Sequence, residues 1–327
     1  MTTSMTRRRF NTSLAGLAAT VAFGRSIGPA AAETTLNFQS IWLNDPEFLG
    51  YMIGIDKGYY AEEGLKVNYL PGGPNLIPEG SLLAGKSDIS LTNMVTTAKA
   101  VVEKGAPFKI IGTQYQKSPV GFISMASAGI KEPKDLIGKT VAVSTLASAT
   151  VMAFLKLHNI AQDKLRIVPY QFNPTPLING EVDAVTDFVT QLPFLAEKAS
   201  GKKVEYFLLN DFGLPLYIDL VVVMEPTLKA KRADLIKFLR ASRKGWKENF
   251  ADPLKYPALY HDTWFKGTGS TLDAENYFNS TQLPLMDHPK GLYTMSDDGI
   301  RLNIESLAKL GIEAKRDMFD TTLVAEL

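Results

Sequence analysis

The 327-residue chain has no cysteine, three histidines and almost no net charge, with 35 basic against 34 acidic side chains. Without cysteine there is no disulfide, no thiolate zinc or iron–sulfur site and no cysteine nucleophile. His158, His261 and His288 stand far apart and none belongs to an H-E-x-x-H pair, so each reads as a packed or surface imidazole and no metal is expected. A formal charge of +1 gives no electrostatic footprint for nucleic acid. There is no G-x-S-x-G elbow, and no G-x-G-x-x-G beyond the N-terminal segment. What is present is ordinary: 45% hydrophobic and 21% charged residues, in a length that allows one large or two ordinary domains.

The first 32 residues read as an address. Thr6-Arg7-Arg8-Arg9-Phe10 is a twin-arginine signature, an apolar stretch runs from Leu14 to Phe23, and Ala30-Ala31-Ala32 is an A-x-A cleavage site. That stretch falls well short of the ~20 residues of a membrane span. Cleavage near Ala32 would remove four arginines and no acid, turning the net charge from +1 to −3. No lipidation cysteine follows, so the expected product is a soluble periplasmic protein with no membrane anchor.

Beyond Glu33, period-2 apolar runs alternate with 3.6-period segments, the pattern of an α/β fold with largely parallel strands. Strands are expected at Thr35–Ser40, Leu65–Leu70, Ile89–Thr92, Phe108–Gln114, Phe122–Ala126, Thr140–Ser144, Leu165–Pro169, Ala184–Thr186, Tyr206–Leu209 and Ile218–Met224. Helices are expected at Pro46–Lys57, Ile77–Ala84, Val95–Lys104, Ala149–His158 and Leu192–Lys198, and in a helical last third at Ala233–Asn249, Asp273–Thr281 and Asp297–Leu310. Leu83-Ala84-Gly85-Lys86-Ser87-Asp88-Ile89 is echoed by Ile178-Asn179-Gly180-Glu181-Val182-Asp183-Ala184: helix end, glycine cap, aspartate, strand. Two lobes wired alike would place Thr92-Asn93 and Asp187-Phe188 on loops at strand carboxyl ends, where open sheets bind ligands.

Two motifs mimic other chemistry. Gly80 to Ser87 fits the phosphate-loop pattern G-x-x-x-x-G-K-S/T, but that loop needs a strand before it and a helix after it, and here the order is reversed. The basic run Lys231, Arg232, Lys237, Arg240, Arg243, Lys244 and Lys247 has the spacing of a solvated helix face, with Leu235, Ile236, Leu239 and Trp246 turned inward.

The segment Ser40 to Tyr51 places an aromatic, an amide and two carboxylates between the first strand and a helix whose first turn suits Pro46. The order Trp42, Asn44, Glu47-Phe48-x-Gly50, then Lys57-Gly58-Tyr59-Tyr60-x-Glu62-Glu63-Gly64-Leu65, then Gly72-Gly73-Pro74 resembles periplasmic substrate-binding proteins of ABC transporters. Gly85-x-x-Asp88, Asp135-Leu136-x-Gly138-Lys139-Thr140 and Gly180-Glu181-Val182-Asp183-Ala184 carry the likeness along most of the chain. Within that superfamily the chain is most similar to the type that binds pyrimidine precursors of thiamine. Relatives there bind aliphatic sulfonates, taurine, nitrate or riboflavin, and one is the fungal thiamine-pyrimidine synthase.

The resemblance implies a type II periplasmic-binding-protein fold: two α/β lobes, each a mixed and mostly parallel sheet flanked by helices, closing on ligand like a hinge. Lobe one is expected to be residues 33–117 with 220–327 and lobe two 118–219, with crossings near Lys117–Gly121 and Leu216–Asp219. It also implies partnership with a membrane permease and its ATPase, a monomeric state, and no catalysis. The expected lining is Trp42, Asn44, Glu47, Phe48, Gly73, Asn93, Tyr115, Ser144, Thr145, Asp187, Phe188 and Tyr217, with Asp45 and Gln191 close by. Hydroxyl-rich Ser144 to Thr150 would suit an anion. Carboxylates beside aromatic faces suit a flat, neutral or weakly basic heterocycle, and an aminopyrimidine-like ligand is favoured. Riboflavin, a sulfonate or another small organic compound is the alternative ligand. The synthase reading is disfavoured, because that resemblance implies a cysteine-rich iron-binding motif and an active-centre histidine, whereas this chain has no cysteine and its first histidine is His158.

Overall fold

The computed structural model describes residues 33–327, so the expected export signal and its cleavage site lie outside the described residues. Ten strands form: β1 (Thr34–Gln39), β2 (Leu65–Leu70), β3 (Ile89–Asn93), β4 (Phe108–Tyr115), β5 (Val120–Met125), β6 (Thr140–Val143), β7 (Arg166–Pro169), β8 (Ala184–Phe188), β9 (Val204–Leu208) and β10 (Ile218–Met224). They are the ten read from the sequence, with ends moved by at most two residues. They make two five-stranded sheets, ordered β2-β1-β3-β10-β4 and β7-β6-β8-β5-β9.

The two sheets are wired alike. In the first, β1 runs parallel to β2 and β3, while β10 is antiparallel to both β3 and β4. In the second, β6 runs parallel to β7 and β8, while β5 is antiparallel to both β8 and β9. Each antiparallel strand is the one the chain enters on arriving from the other sheet. It starts at the edge where its neighbours end, and so it must run the opposite way.

The echoed segments play one role twice. Asp88, just before β3, accepts a hydrogen bond from Asn37 N in β1 (2.8 Å), and Asp183, just before β8, accepts one from Thr140 N in β6 (2.7 Å). Each carboxylate satisfies a backbone donor of the neighbouring parallel strand and fixes its start. The phosphate-loop look-alike has a helix (Pro78–Leu83) before it and β3 after it, the order opposite to a nucleotide loop.

Helices cover both sheets. The expected Pro46–Lys57 helix is a 3-10 turn, Pro46–Phe48, capped by the Asp45 side chain, followed by a helix at Leu49–Asp56. The expected Ala233–Asn249 helix extends over Glu225–Ala251. Its inward residues Leu235, Leu239 and Trp246 are buried, and its basic side chains pair with acids, among them Arg240 with Glu63 and Lys244 with Glu62. The Leu272–Met286 helix continues past the proline at 284, since Leu283 and Met286 are buried and anchor its last turn. A short helix at Lys255–Tyr260 carries no clear apolar period and was not expected.

The helices Leu49–Asp56 and Glu225–Ala251 cross at Gly50 and Gly245 with no room to spare. A Cβ on Gly245 would sit 2.0 Å from Gly50 O, and one on Gly50 would sit 2.2 Å from the Trp246 ring. Gly245→Ala should therefore cost about 1–3 kcal/mol by forcing these backbones apart. A urea-denaturation midpoint equal to that of the unaltered protein would show that the helices can separate freely.

Candidate functional site

Both sheets present the same edge to a shared cleft of about 700 Å³: the carboxyl ends of the co-directional strands and the amino end of the antiparallel one. From the first sheet come the loop after β1 (Trp42, Asp45, Glu47), Asn93 at the end of β3, and Tyr217 and Asp219 around the start of β10. From the second come Ser144 and Thr145 after β6, Tyr170 and Phe172 after β7, and Asp187 and Phe188 at the end of β8. The Trp42 and Phe172 rings meet across it with centroids 4.7 Å apart. Phe172 holds φ +56°, a left-handed conformation that a bulky residue adopts only when its surroundings impose it.

Among the described residues five carboxyl groups line the cleft; Glu79 accepts from the Thr96 and Thr97 hydroxyls, and the chemistry is concentrated in the other four, Asp45, Glu47, Asp187 and Asp219. Glu47 and Asp219 are buried, at 4% and 0% exposure. Burial first, then the charges of Asp219 and Asp45, hold the Glu47 carboxyl well above the usual carboxylate range. Burial pushes Asp219 up to about 7, although a hydrogen bond with Glu47 opposes the shift. Burial likewise raises Asp45 well above its ordinary value, against the hydrogen bond from Glu47 N. Asp187 is pushed up to about 6 by burial, while donors at Tyr170 Oη (2.8 Å) and Phe188 N (2.7 Å) favour its charged form. Gln114 joins the pair at the base of the cleft: its Nε2 donates to Glu47 O (2.8 Å) and to Asp219 Oδ2 (3.0 Å). Asp219 sits at φ +54°, in the bulge where β10 shifts register against β3. Among the described residues, Lys99 is the one basic residue lining the cleft.

Of the residues expected to bind ligand, Trp42, Glu47, Asn93, Ser144, Thr145, Asp187, Phe188 and Tyr217 line this cleft, as do Asp45 and Gln191. Asn93 also caps the Met94–Lys104 helix by accepting from Val95 N. The Tyr217 hydroxyl is directed at Ser296, over Gly299, so the ring alone remains for a ligand. Four expected residues lie elsewhere. Asn44 turns away and donates to Trp264 O (3.1 Å). Phe48 is wholly buried in the core of the first sheet. Tyr115 is buried, with its hydroxyl on Gln282 Oε1 (2.6 Å), and touches the site only by its edge-to-face packing on Phe188. Gly73 belongs to a glycine pair that fits against the chain itself, since a Cβ on Gly72 would lie 2.4 Å from the Ile41 carbonyl carbon. Sequence reasoning passed over Asp219, Tyr170 and Phe172. Asp219 carried the one available signal, a lone acid inside the apolar run Ile218–Met224. None of the three histidines lines the cleft, and among the described residues no group of three or more metal-ligating side chains occurs.

Comparison with known proteins gives this arrangement a setting. A family model described as NMT1/THI5 like matches residues 45–255. A 4-amino-5-hydroxymethyl-2-methylpyrimidine phosphate synthase from Legionella pneumophila is 27% identical, over 62% of this chain and 66% of its own; further relatives share that name. Riboflavin-binding protein RibY from Chloroflexus aurantiacus is 23% identical, over 69% of this chain and 64% of its own. A formylaminopyrimidine-binding protein from Halalkalibacterium halodurans is 24% identical, over 62% of each. The chain thus spans slightly under two thirds of the length of these relatives. The periplasmic aliphatic sulphonate binding protein SsuA from Escherichia coli shares the fold, with a TM-score of 0.64 at 14% identity over 87% of this chain and 95% of that one.

Acids whose pKa is raised on folding bind more protons in the folded than in the unfolded chain, so their contribution weakens stability as pH rises from the unfolded value through the folded one. With Asp187 raised from 3.8 to about 6 and Asp219 from 3.8 to about 7, the melting temperature should fall between about pH 4 and 7. Asp219→Asn should flatten that slope; an identical slope in the variant would remove Asp219 from the titrating cluster.

Proposed function

The chain belongs to the NMT1/THI5-like family, and from that premise we propose that it is the solute-binding component of an ABC importer, capturing a small nitrogen heterocycle and passing it to the permease. A pyrimidine precursor of thiamine is the favoured ligand. The observation that carries this reading is the cleft's composition among the described residues: five carboxyl groups, one lysine, and aromatic rings from both sheets. A sulfonate or nitrate would have to bring its charge beside acids already buried together, which repel it. A flat ring with amino substituents does the reverse: its faces pack on Trp42 and Phe172, and its N–H groups donate to carboxylates that have no ion-pair partner among the described residues. The two connections between the sheets, at residues 116–119 and 209–217, serve in this reading as the hinge between lobe one (33–117 and 220–327) and lobe two (118–219). Export by the twin-arginine route and a periplasmic site of action complete the proposal.

A second reading, a pyrimidine-forming enzyme, is favoured by the names of several relatives. It lacks a counterpart here to the cysteine motif and active-centre histidine that the synthase resemblance implies. Pyrimidine product formed from a pyridoxal-type compound by the purified protein would establish it over the binding role.

For the binding role, a thermal-shift panel should show stabilisation by aminopyrimidines and none by alkanesulfonates. Trp42→Ala and Glu47→Ala should each weaken aminopyrimidine binding more than tenfold, at least ~1.4 kcal/mol. The opposite ligand ranking would assign the cleft to anions, and full affinity in both variants would remove the loop after β1 from the site.

A further inference from the structure

Glu47 and Asp219 differ from ordinary cleft acids in having no compensating charge. Both are buried, and they lie within hydrogen-bonding reach of one another. Asp219 Oδ2 is taken by Gln114, while Asp219 Oδ1 is buried with no nitrogen or hydroxyl partner. The groups around them are mostly acidic or weakly acidic: Asp45 in the same loop, Asp187 on β8, Tyr115 on β4, Tyr51 on the Leu49–Asp56 helix, and Glu275 on the Leu272–Met286 helix, itself paired with His261. Among the described residues, Lys99, on the Met94–Lys104 helix, is the one cation on the cleft wall. Two carboxyl groups in contact in such a place cannot both be ionised, so they share one proton.

We propose that this pair is a donor–acceptor edge: Glu47, as a carboxylic acid, donates its O–H to a ring nitrogen, and Asp219 Oδ1, as a carboxylate, accepts from the exocyclic amino group beside that nitrogen. The inference rests on the reading of the cleft as a heterocycle site and narrows it to rings that carry an acceptor next to an N–H donor, as 4-aminopyrimidines do. No covalent bond changes and no proton leaves. In the ligand-free protein the Glu47 O–H points to Asp219; in the complex it points to the ring, and the amine takes its place on Asp219. An amine without the ring nitrogen leaves the buried Glu47 O–H unpaired, and a ring without the amine leaves Asp219 Oδ1 unpaired, so each is rejected.

The competent state holds the Glu47 proton beside an ionised Asp219, so affinity is highest above about pH 7, where Asp219 has ionised, and falls both below that point and above the pH at which Glu47 loses its proton.

The test is calorimetric titration with 4-amino-2-methylpyrimidine from about pH 7 to 10, alongside aniline and 2-methylpyrimidine. Glu47→Gln supplies an amide N–H where the acid had its O–H. It should keep affinity within about threefold at neutral pH and abolish the fall at high pH, whereas Glu47→Ala loses binding. Asp219→Asn should lose more than about tenfold at every pH. A tenfold or greater loss in Glu47→Gln, or a pH profile in that variant identical to the unaltered protein's, overturns the donor–acceptor edge and leaves the heterocycle reading standing. These two outcomes do not depend on whether Asp219→Asn folds. Equal affinity for aniline also overturns the edge. Failure of the unaltered protein to bind any of the rings overturns both the edge and the reading on which it rests.

Discussion

The cleft is governed by the burial of carboxyl groups without cations where the two sheets meet. Glu47 and Asp219 come from segments far apart in the chain, and Gln114 of β4 holds both, through one backbone oxygen and one side-chain oxygen. Asp219 is itself forced into a left-handed conformation at the point where β10 enters the first sheet. Strain of that kind costs of order 1–3 kcal/mol and persists only where the surroundings over-determine it. Here it places a carboxyl in the cleft two residues past the end of a connection between the sheets, so the acidic floor begins where one crossing ends.

The wider fold explains why the acids gather there. Each sheet receives one strand from the other, that strand enters against the direction of its neighbours, and both crossings therefore open onto the edge where the co-directional strands end. Loops at those ends are freed from sheet packing and can carry polar and aromatic side chains, while the cores behind them stay apolar. The same edge is thus used twice, and Trp42 and Phe172 mark where the two halves touch.

Much of this was legible in the sequence because it rests on local periodicity. Ten strands, the main helices and the duplicated aspartate joint all depend on patterns within a few residues. The site was legible where a side chain follows directly from a strand end, as with Asn93, Ser144, Asp187 and Phe188. It was misleading where one turn of helix separates a residue from the cleft: Phe48 lies one position beyond Glu47 and points into the core, and Asn44 faces Trp264. Gly73 was expected to line the ligand site, but the glycine beside it, Gly72, packs against the backbone of Ile41. Asp219 was hidden for a different reason. It sits in an apolar strand, and only the crossing topology and a bulge bring its carboxyl beside Glu47.

The central claim is that this buried pair holds a proton at neutral pH. Nuclear magnetic resonance of the carboxyl carbons of Glu47 and Asp219, followed across pH in the ligand-free protein, reads that state directly. The account predicts that Asp219 ionises near pH 7 while Glu47 remains a carboxylic acid beyond it. Both carboxyls fully ionised by about pH 5, as exposed side chains would be, would contradict it.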